Sequence, residues 1–147
     1  MSGKVVAVCV SEKRGVVKHP VPKVDLKTGH GLVGDAHAGS WPRQVSLLAA
    51  ESIARIRRVM PELADGAFAE NIVTEGVDLL GLTVGDRIGL GQGIELEVTQ
   101  IGKECHASCA IREQTGDCVM PTEGVFCRVL AGGVLAAGDE VRLPGRP

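Results

Sequence analysis

The sequence predicts a mainly β protein, folded as a closed or partly open β-barrel with a few short α-helices. Twenty glycines divide the 147 residues into short runs, and the runs between them are aliphatic, as in strands joined by tight turns. Many short strands with few helices favour a barrel over an open parallel sheet. We expect a single domain over residues 1–147, because no linker or low-complexity segment divides the chain.

The N-terminal third is predicted to alternate between strands and a loop. Residues 4–10 are apolar at both odd and even positions, as in a strand covered on both faces. Residues 15–31 are polar and contain two prolines, so we expect an extended loop there. Residues 44–48 are predicted to form a short strand.

A helix is predicted to follow, from Ala49 to Met60. Ile53, Ile56 and Met60 have helical spacing, and Pro61 is expected to end the helix because the residue before proline disfavours the α conformation. The strands predicted after it cover residues 70–74, 86–90, 94–101, 125–130 and 139–143.

Two stretches, residues 82–90 and 135–143, resemble each other around Gly85-Asp86 and Gly138-Asp139. We interpret them as one turn used twice, in which glycine adopts a positive φ and the aspartate bonds back to the backbone before a strand.

Composition excludes several partners. Aromatic residues make up 2% of the chain and the net charge is −2 with no basic stripe, so a nucleic-acid partner is not expected. The apolar run at the N-terminus is too short for a secretion signal or a membrane span. We therefore expect a cytoplasmic protein without a membrane partner.

Three of the five cysteines, Cys105, Cys109 and Cys118, lie within one short stretch. In a reducing compartment, clustered thiols indicate metal binding or sulfur chemistry. Lys103 and His106 would favour the Cys105 thiolate, which is the form that attacks sulfur, carries a persulfide or ligates a soft metal. Small buried thiols, or a zinc site that also uses His106, remain alternatives. The other two cysteines, in strand-like runs, are interpreted as core residues.

Two polar segments are further candidates for a binding site. Residues 34–39 place Asp35 and His37 between glycines, with Arg43 close behind, and could present backbone amides and a cation to an anion. The alternative is a turn with a solvated histidine. Glu70 and Asn71 could bind a polar heterocycle, or could simply be the polar end of a strand.

Taken in order, these segments resemble the MOSC domain, named after the C-terminal domain of molybdenum cofactor sulfurases. The resemblance runs from about residue 5 to residue 143 and looks like the compact stand-alone MOSC proteins of bacteria. The residues that carry it are Gly34-Asp35, His37, Gly39, Arg43-Gln44-Val45-Ser46-Leu47, Ala69-Glu70-Asn71-Ile72, Leu82, Val84-Gly85-Asp86-Arg87 and Cys105.

The resemblance implies a barrel of the pyruvate-kinase type, a molybdenum cofactor (molybdopterin) and a hallmark cysteine at Cys105. In relatives this cysteine accepts sulfur or ligates molybdenum. The cofactor pocket would be lined by the loop from Gly34 to Gly39, which contains Asp35 and His37, together with Arg43, Glu70 and Asn71. Cys109 and Cys118 exceed the single hallmark cysteine and could resolve a persulfide or join Cys105 in binding a metal.

The implied function is cofactor binding or sulfur carriage in molybdenum cofactor biosynthesis or maturation. Its partners would be biosynthetic or acceptor enzymes and a sulfur donor. The pyridoxal-phosphate desulfurase domain of the sulfurases has no counterpart in this sequence, so no pyridoxal phosphate is expected. Two alternatives stay open: a small molybdenum-dependent reductase of N-hydroxylated compounds, and a non-catalytic Cys/His metal-binding module.

Overall fold

The chain folds around a closed seven-stranded β-barrel, which confirms the predicted fold class. The computed structural model describes residues 2–14, 16–102 and 123–144. The strands are β1 (Ser2–Val10), β2 (His19–Pro20), β3 (Lys23–Lys27), β4 (Gly31–Leu32), β5 (Val45–Ala49), β6 (Ile72–Glu75), β7 (Arg87–Leu90), β8 (Ile94–Ile101), β9 (Val125–Ala131), β10 (Gly133–Ala136) and β11 (Glu140–Arg142). Around the barrel they follow the order β1, β11, β7, β8, β9, β5, β6 and back to β1. Within this ring β5 and β6 are parallel, and the other neighbours are antiparallel.

A second, three-stranded sheet has the order β10, β3, β4. It corrects the expectation of a loop over residues 15–31, because β2 and β3 lie inside that range. In β3, Leu26 is buried while Lys23, Asp25 and Lys27 are exposed, so the segment is a strand with one face exposed to solvent. The prolines that suggested a loop lie outside β3, at positions 20 and 22.

The barrel interior is an aliphatic cluster to which nearly every strand contributes, among them Val8, Leu47, Ile72, Leu96 and Val141. A bulge in β1 between Val5 and Ala7 shifts the register, so that Val5 and Val8 both join this cluster despite their odd spacing. Ala7 and Cys9 point to a second cluster outside the barrel. The expectation of a strand covered on both faces is confirmed.

The helix α1 (Ala50–Arg57) follows β5, and a 3-10 turn lies at Leu79–Gly81. Ile53 and Ile56 of α1 pack on Phe68 and Phe126 in the outer cluster. The helix ends at Arg57, a few residues before Pro61. Beyond its end, the amides of Val59 and Met60 both donate to the Ile56 carbonyl and form a turn.

The two similar turns have the same geometry. Gly85 and Gly138 have φ values of 97° and 96°, and Oδ2 of Asp86 and of Asp139 each accepts a backbone amide from three residues earlier at 2.9 Å. They lead into β7 and β11, which pair with each other. The interpretation of one turn used twice is confirmed.

Cys9 and Cys127 are fully buried, as their strand-like context predicted. Burial, assisted by Glu70 and Asp65, raises the pKa of the Cys9 thiol to about 12, and burial also raises that of Cys127. Neither thiol is available as a thiolate at neutral pH. Among the described residues, no helix is long and apolar enough to cross a membrane.

Candidate functional site

Residues from four separate segments meet around a cavity of about 210 Å³ beside the barrel. They come from the loop after β1, from the segment that leads into β5 together with the start of β5, from the residues just before β6, and from β9. The cavity is lined by Arg14, His37, Trp41, Arg43, Ser46, Ala69, Asn71 and Phe126. Three of the predicted pocket residues, His37, Arg43 and Asn71, are therefore in the lining.

Two guanidinium groups lie against the chain's single tryptophan. The Cζ atoms of Arg14 and Arg43 are 4.8 and 4.7 Å from the centre of the Trp41 ring, within the range of a cation–π interaction. The indole is held in place because Trp41 Nε1 donates to the His37 carbonyl at 2.7 Å. The arrangement gives the cavity two permanent positive charges next to a flat apolar surface, which suits an anion joined to a planar ring.

Behind this lining lies a buried ion pair that the sequence reading did not include. Lys18 Nζ is 2.7 Å from Asp35 Oδ1, and neither side chain has exposed surface. Burial by itself raises the pKa of the Asp35 carboxyl, but hydrogen bonds from Lys18 and from the Ser11 amide, with the Lys18 charge, hold it below its usual range. Asp35 is thus an ionised support behind the cavity.

His37 connects the ion pair to the cavity. Its backbone amide donates to Asp35 Oδ2 at 3.2 Å, and its ring Nδ1 lies 2.8 Å from Lys18 Nζ. The His37 ring stacks nearly parallel to Trp41, with 6.4 Å between ring centres. The position of the histidine is therefore set from both sides.

Asn71 joins three strands at the floor of the site. Its Oδ1 accepts the Ser46 amide at 3.0 Å and the Ser46 hydroxyl at 3.2 Å, while Nδ2 donates to the Cys9 carbonyl at 3.1 Å. Both side chains are buried. Asn71 is consequently a structural tie between β1, β5 and the start of β6, as well as part of the lining.

Glu70 does not line the cavity. It is fully buried, and its two oxygens accept the amides of Gly66 and Phe68 at 2.8 and 3.0 Å. Burial raises the pKa of its carboxyl, against the lowering effect of these amides. Glu70 thus braces the loop that carries Ala69, whose φ of 63° makes it the one non-glycine residue with positive φ in the described backbone.

Gly34 and Gly39 shape the loop without lining the cavity. Both have positive φ, at 88° and 151°, and they flank the turn that brings Asp35 and His37 inward. That backbone amides of this loop face an anion stays a prediction. The amide of His37 itself donates to Asp35 Oδ2.

Several site residues were missed from the sequence: Ser11, Arg14, Lys18, Trp41, Ser46, Ala69 and Phe126. Arg14 and Lys18 occur in a basic, polar segment directly after the first predicted strand, a position where site residues often lie. The polar composition of this segment favours an exposed loop, so the sequence does not single out these two side chains. Nothing in the spacing of Phe126 distinguishes it from a core residue.

The thiol cluster falls outside the described residues. Cys105, Cys109 and Cys118, with Lys103 and His106, all lie in 103–122, so their expected convergence stays a prediction. In the three described ranges, no group of three or more His, Cys, Asp or Glu side chains could hold a metal ion.

The MOSC domain family model matches residues 34–142, which is most of the chain. The chain belongs to the MOSC domain family. The match includes the Gly34–Gly39 loop, Arg43 and Asn71, and it ends at the last residue of β11. The family is associated with the molybdenum cofactor, which relates the function of this chain to that cofactor.

Solved structures confirm the fold. The YUAD protein from Bacillus subtilis (APC1665) superposes with a TM-score of 0.82 at 21% identity, covering 100% of this chain and 98% of that one. YiiM from Escherichia coli gives 0.66 at 22% identity, covering 100% of this chain and 71% of its own. YiiM from Geobacillus stearothermophilus gives 0.70 at 19% identity, covering 98% and 76%. No curated protein sequence gives a significant match.

Proposed function

We propose that this chain binds molybdenum cofactor at the cavity beside Trp41, with Cys105 as its molybdenum ligand or as a persulfide carrier. The observation that supports this most is the pair of guanidinium groups, Arg14 and Arg43, held against one indole ring in a cavity whose lining includes motif residues of the family. A phosphorylated pterin has the matching features: an anionic phosphate and a flat polar ring.

The size of the cavity limits what it can hold. About 210 Å³ is less than the roughly 300–1,000 Å³ usual for a site that encloses a drug-sized ligand. The cavity is therefore suited to one end of the cofactor. We assign the phosphate to it, because Arg14 and Arg43 place two guanidinium groups in its described lining.

A second depression of about 560 Å³ shares Trp41 with the first and continues along Pro42, Gln44 and Thr99. It is more open, and its Arg128 is paired with Glu97 at 2.6 Å. This surface offers room for the remainder of a cofactor whose phosphate is held by the two arginines, with Trp41 between the two spaces.

Cys105 supplies the reactive sulfur in this proposal. As a thiolate it would ligate molybdenum or take the outer sulfur of a donor persulfide. In the transfer, the new bond joins Cys105 to the outer sulfur, the bond between the donor's two sulfurs breaks, and the donor leaves as a thiolate. When bound, the cofactor supplies a molybdenum centre that accepts sulfur ligands and exchanges electrons. The partners would be a sulfur donor and enzymes that make or accept the cofactor.

The test is purification under anoxic conditions from a host that makes the cofactor, followed by molybdenum and pterin analysis. Wild type is expected to retain both. Arg14→Gln with Arg43→Gln should lose both, because the phosphate loses its counter-charges. Arg87→Gln is the matched control, since Arg87 forms an exposed pair with Glu95 outside the cavity.

Cys105→Ser separates the roles of the cysteine. Loss of molybdenum with retention of pterin indicates a ligand, whereas loss of a persulfide with unchanged cofactor indicates a carrier. Turnover of a hydroxylamine by the loaded protein with an external electron donor would favour the reductase. One zinc per chain, with no pterin in any variant, would overturn the proposal in favour of the metal-binding module.

A further inference from the structure

We propose that Lys18 is a positioning residue that fixes one tautomer of His37, with Nδ1 unprotonated and the hydrogen on Nε2. Lys18 precedes the segment matched by the family model. The assignment of the tautomer stands on the buried contacts alone. Its consequence for a ligand rests on the proposed function.

Lys18 Nζ has three polar neighbours within hydrogen-bond distance. They are Asp35 Oδ1 at 2.7 Å, His37 Nδ1 at 2.8 Å and Ser11 Oγ at 3.1 Å. A lysine ammonium carries three hydrogens and no acceptor. The number of hydrogens therefore matches the number of neighbours, and each neighbour must accept one.

The other two neighbours cannot supply a hydrogen to Lys18. The Ser11 hydroxyl donates to the Lys13 carbonyl at 3.0 Å, so its oxygen is left to accept. Asp35 is held as the carboxylate by its hydrogen bonds, and Oδ1 also accepts the Ser11 amide at 3.0 Å. With these roles fixed, the third Lys18 hydrogen points to His37 Nδ1, and a nitrogen that accepts cannot carry its own hydrogen.

Lys18 is itself held firmly. Its side chain has no exposed surface, and its backbone amide donates to the Gly66 carbonyl at 2.9 Å. It thus connects the loop after β1 to the loop that carries Ala69 and Asn71. Since Lys18 and Asp35 balance each other's charge, the pair orients His37 without adding to the positive charge of the cavity.

The consequence concerns the ligand. The His37 ring lines the cavity, and with Nδ1 accepting from Lys18 its hydrogen lies on Nε2. A ligand group that meets this nitrogen must be an acceptor, such as a phosphate oxygen or a pterin carbonyl. Lys18 would therefore contribute to selection of an anionic or carbonyl-bearing ligand without touching it.

Long-range proton–nitrogen correlation spectra of the uniformly nitrogen-15-labelled chain test the tautomer. The chain has four histidines, and the His37 signals are identified by their loss in His37→Gln. At neutral pH we expect His37 as a single Nε2–H tautomer. An Nδ1–H pattern, or the averaged pattern of a free imidazole, in the wild type would overturn the proposal.

The double variant Lys18→Met with Asp35→Asn removes the ammonium without leaving an unpaired buried charge. We expect its His37 signals to move away from the wild-type Nε2–H pattern, while Ser11→Ala, which leaves the ammonium in place, keeps the wild-type tautomer. An unchanged single tautomer in the folded double variant would show that Lys18 does not set it. Should the double variant fail to fold, an Nδ1–H or averaged pattern in the wild type would still overturn the proposal.

Titration with inorganic phosphate separates this proposal from the proposed function. A saturable shift of the His37 Nε2–H signal supports the acceptor-ligand consequence. A fixed Nε2–H tautomer with no response to phosphate would remove the ligand consequence and count against the phosphate site, while the positioning role of Lys18 would stand.

Discussion

Lys18 Nζ lies 2.7 Å from Asp35 Oδ1, and both side chains are completely enclosed by the protein. Two residues 17 positions apart in the sequence thus form a charged pair directly behind the cavity. A buried ion pair adds little over a well-packed apolar pair, but removal of one partner leaves the other charge without compensation. A substitution that removes only one of the two charges is therefore expected to destabilise the fold strongly.

Lys18→Met should therefore lower the free energy of unfolding by about 3–5 kcal/mol. Lys4→Met is the control, because Lys4 forms an exposed pair with Glu75 at 3.8 Å and should change stability by less than about 1 kcal/mol. Urea unfolding of both variants measures the difference. Equal, small effects would show that Lys18 is not paired in the interior.

The same pair predicts acid sensitivity. Because the folded-state pKa of Asp35 is lowered, its contribution is present above the usual aspartate pKa of about 3.9 and is lost as the pH falls toward the folded value. Relative to Lys18→Met/Asp35→Asn, wild type should lose up to about 1.4 kcal/mol more per pH unit in that window. Parallel stability curves below about pH 4 would contradict the lowered pKa.

Gly66 and Gly85 form a matched pair for substitution by alanine. Their φ values are 94° and 97°, but a Cβ at Gly66 would lie 2.2 Å from the Lys18 carbonyl oxygen, whereas one at Gly85 meets nothing within 4 Å. Gly85→Ala should cost about 1–3 kcal/mol for its backbone conformation alone. Gly66→Ala should cost clearly more and should also weaken cofactor retention, because the loop carrying Ala69 must move away from Lys18. Equal losses in thermal and urea unfolding would exclude the contact.

Ser52 helps to anchor Glu123, the first described residue after the thiol segment. Its hydroxyl donates to Glu123 Oε1 at 2.8 Å, and Arg55 also binds the carboxylate. The Arg55 hydrogen bond lowers the pKa of Glu123, with Ser52 assisting. Ser52→Ala should reduce stability by about 0.5–1.5 kcal/mol, and up to about 3 kcal/mol if the carboxylate is left poorly satisfied.

Exposed Ser40→Ala is the control for Ser52→Ala, with an expected change below about 0.5 kcal/mol. The difference between the two variants should shrink in acid, once Glu123 is protonated. A difference that is constant with pH would mean that Ser52 acts through packing alone.

The barrel could be read from the sequence because its strands are short, aliphatic and separated by glycines. The hairpin of β7 and β8 and the repeated turn at Gly85 and Gly138 were predictable for local reasons, since each depends on neighbouring residues only. β3 was missed because its alternation is carried by Val24 and Leu26 alone, among charged residues, and its partner β10 lies about a hundred residues away.

The site was only partly predictable, for a different reason. His37, Arg43 and Asn71 belong to motifs with recognisable order. Lys18 and Arg14 enter the site only because β1 brings the loop after it next to residues 35–41. Such a pairing depends on closure of the barrel, which no local pattern encodes. Glu70 was expected in the pocket, but its burial and its two amide contacts make it a brace of the neighbouring loop.

Tryptophan fluorescence tests the central claim, which is that Arg14 and Arg43 hold the phosphate of a pterin cofactor beside Trp41. Trp41 is the single tryptophan of the chain, so a pterin that stacks near it should quench the intrinsic fluorescence. Anoxic titration with molybdopterin should show saturable quenching in wild type and in Arg87→Gln, and at least a tenfold weaker affinity in Arg14→Gln/Arg43→Gln. Equal quenching in all three proteins, or none in any, would contradict the claim.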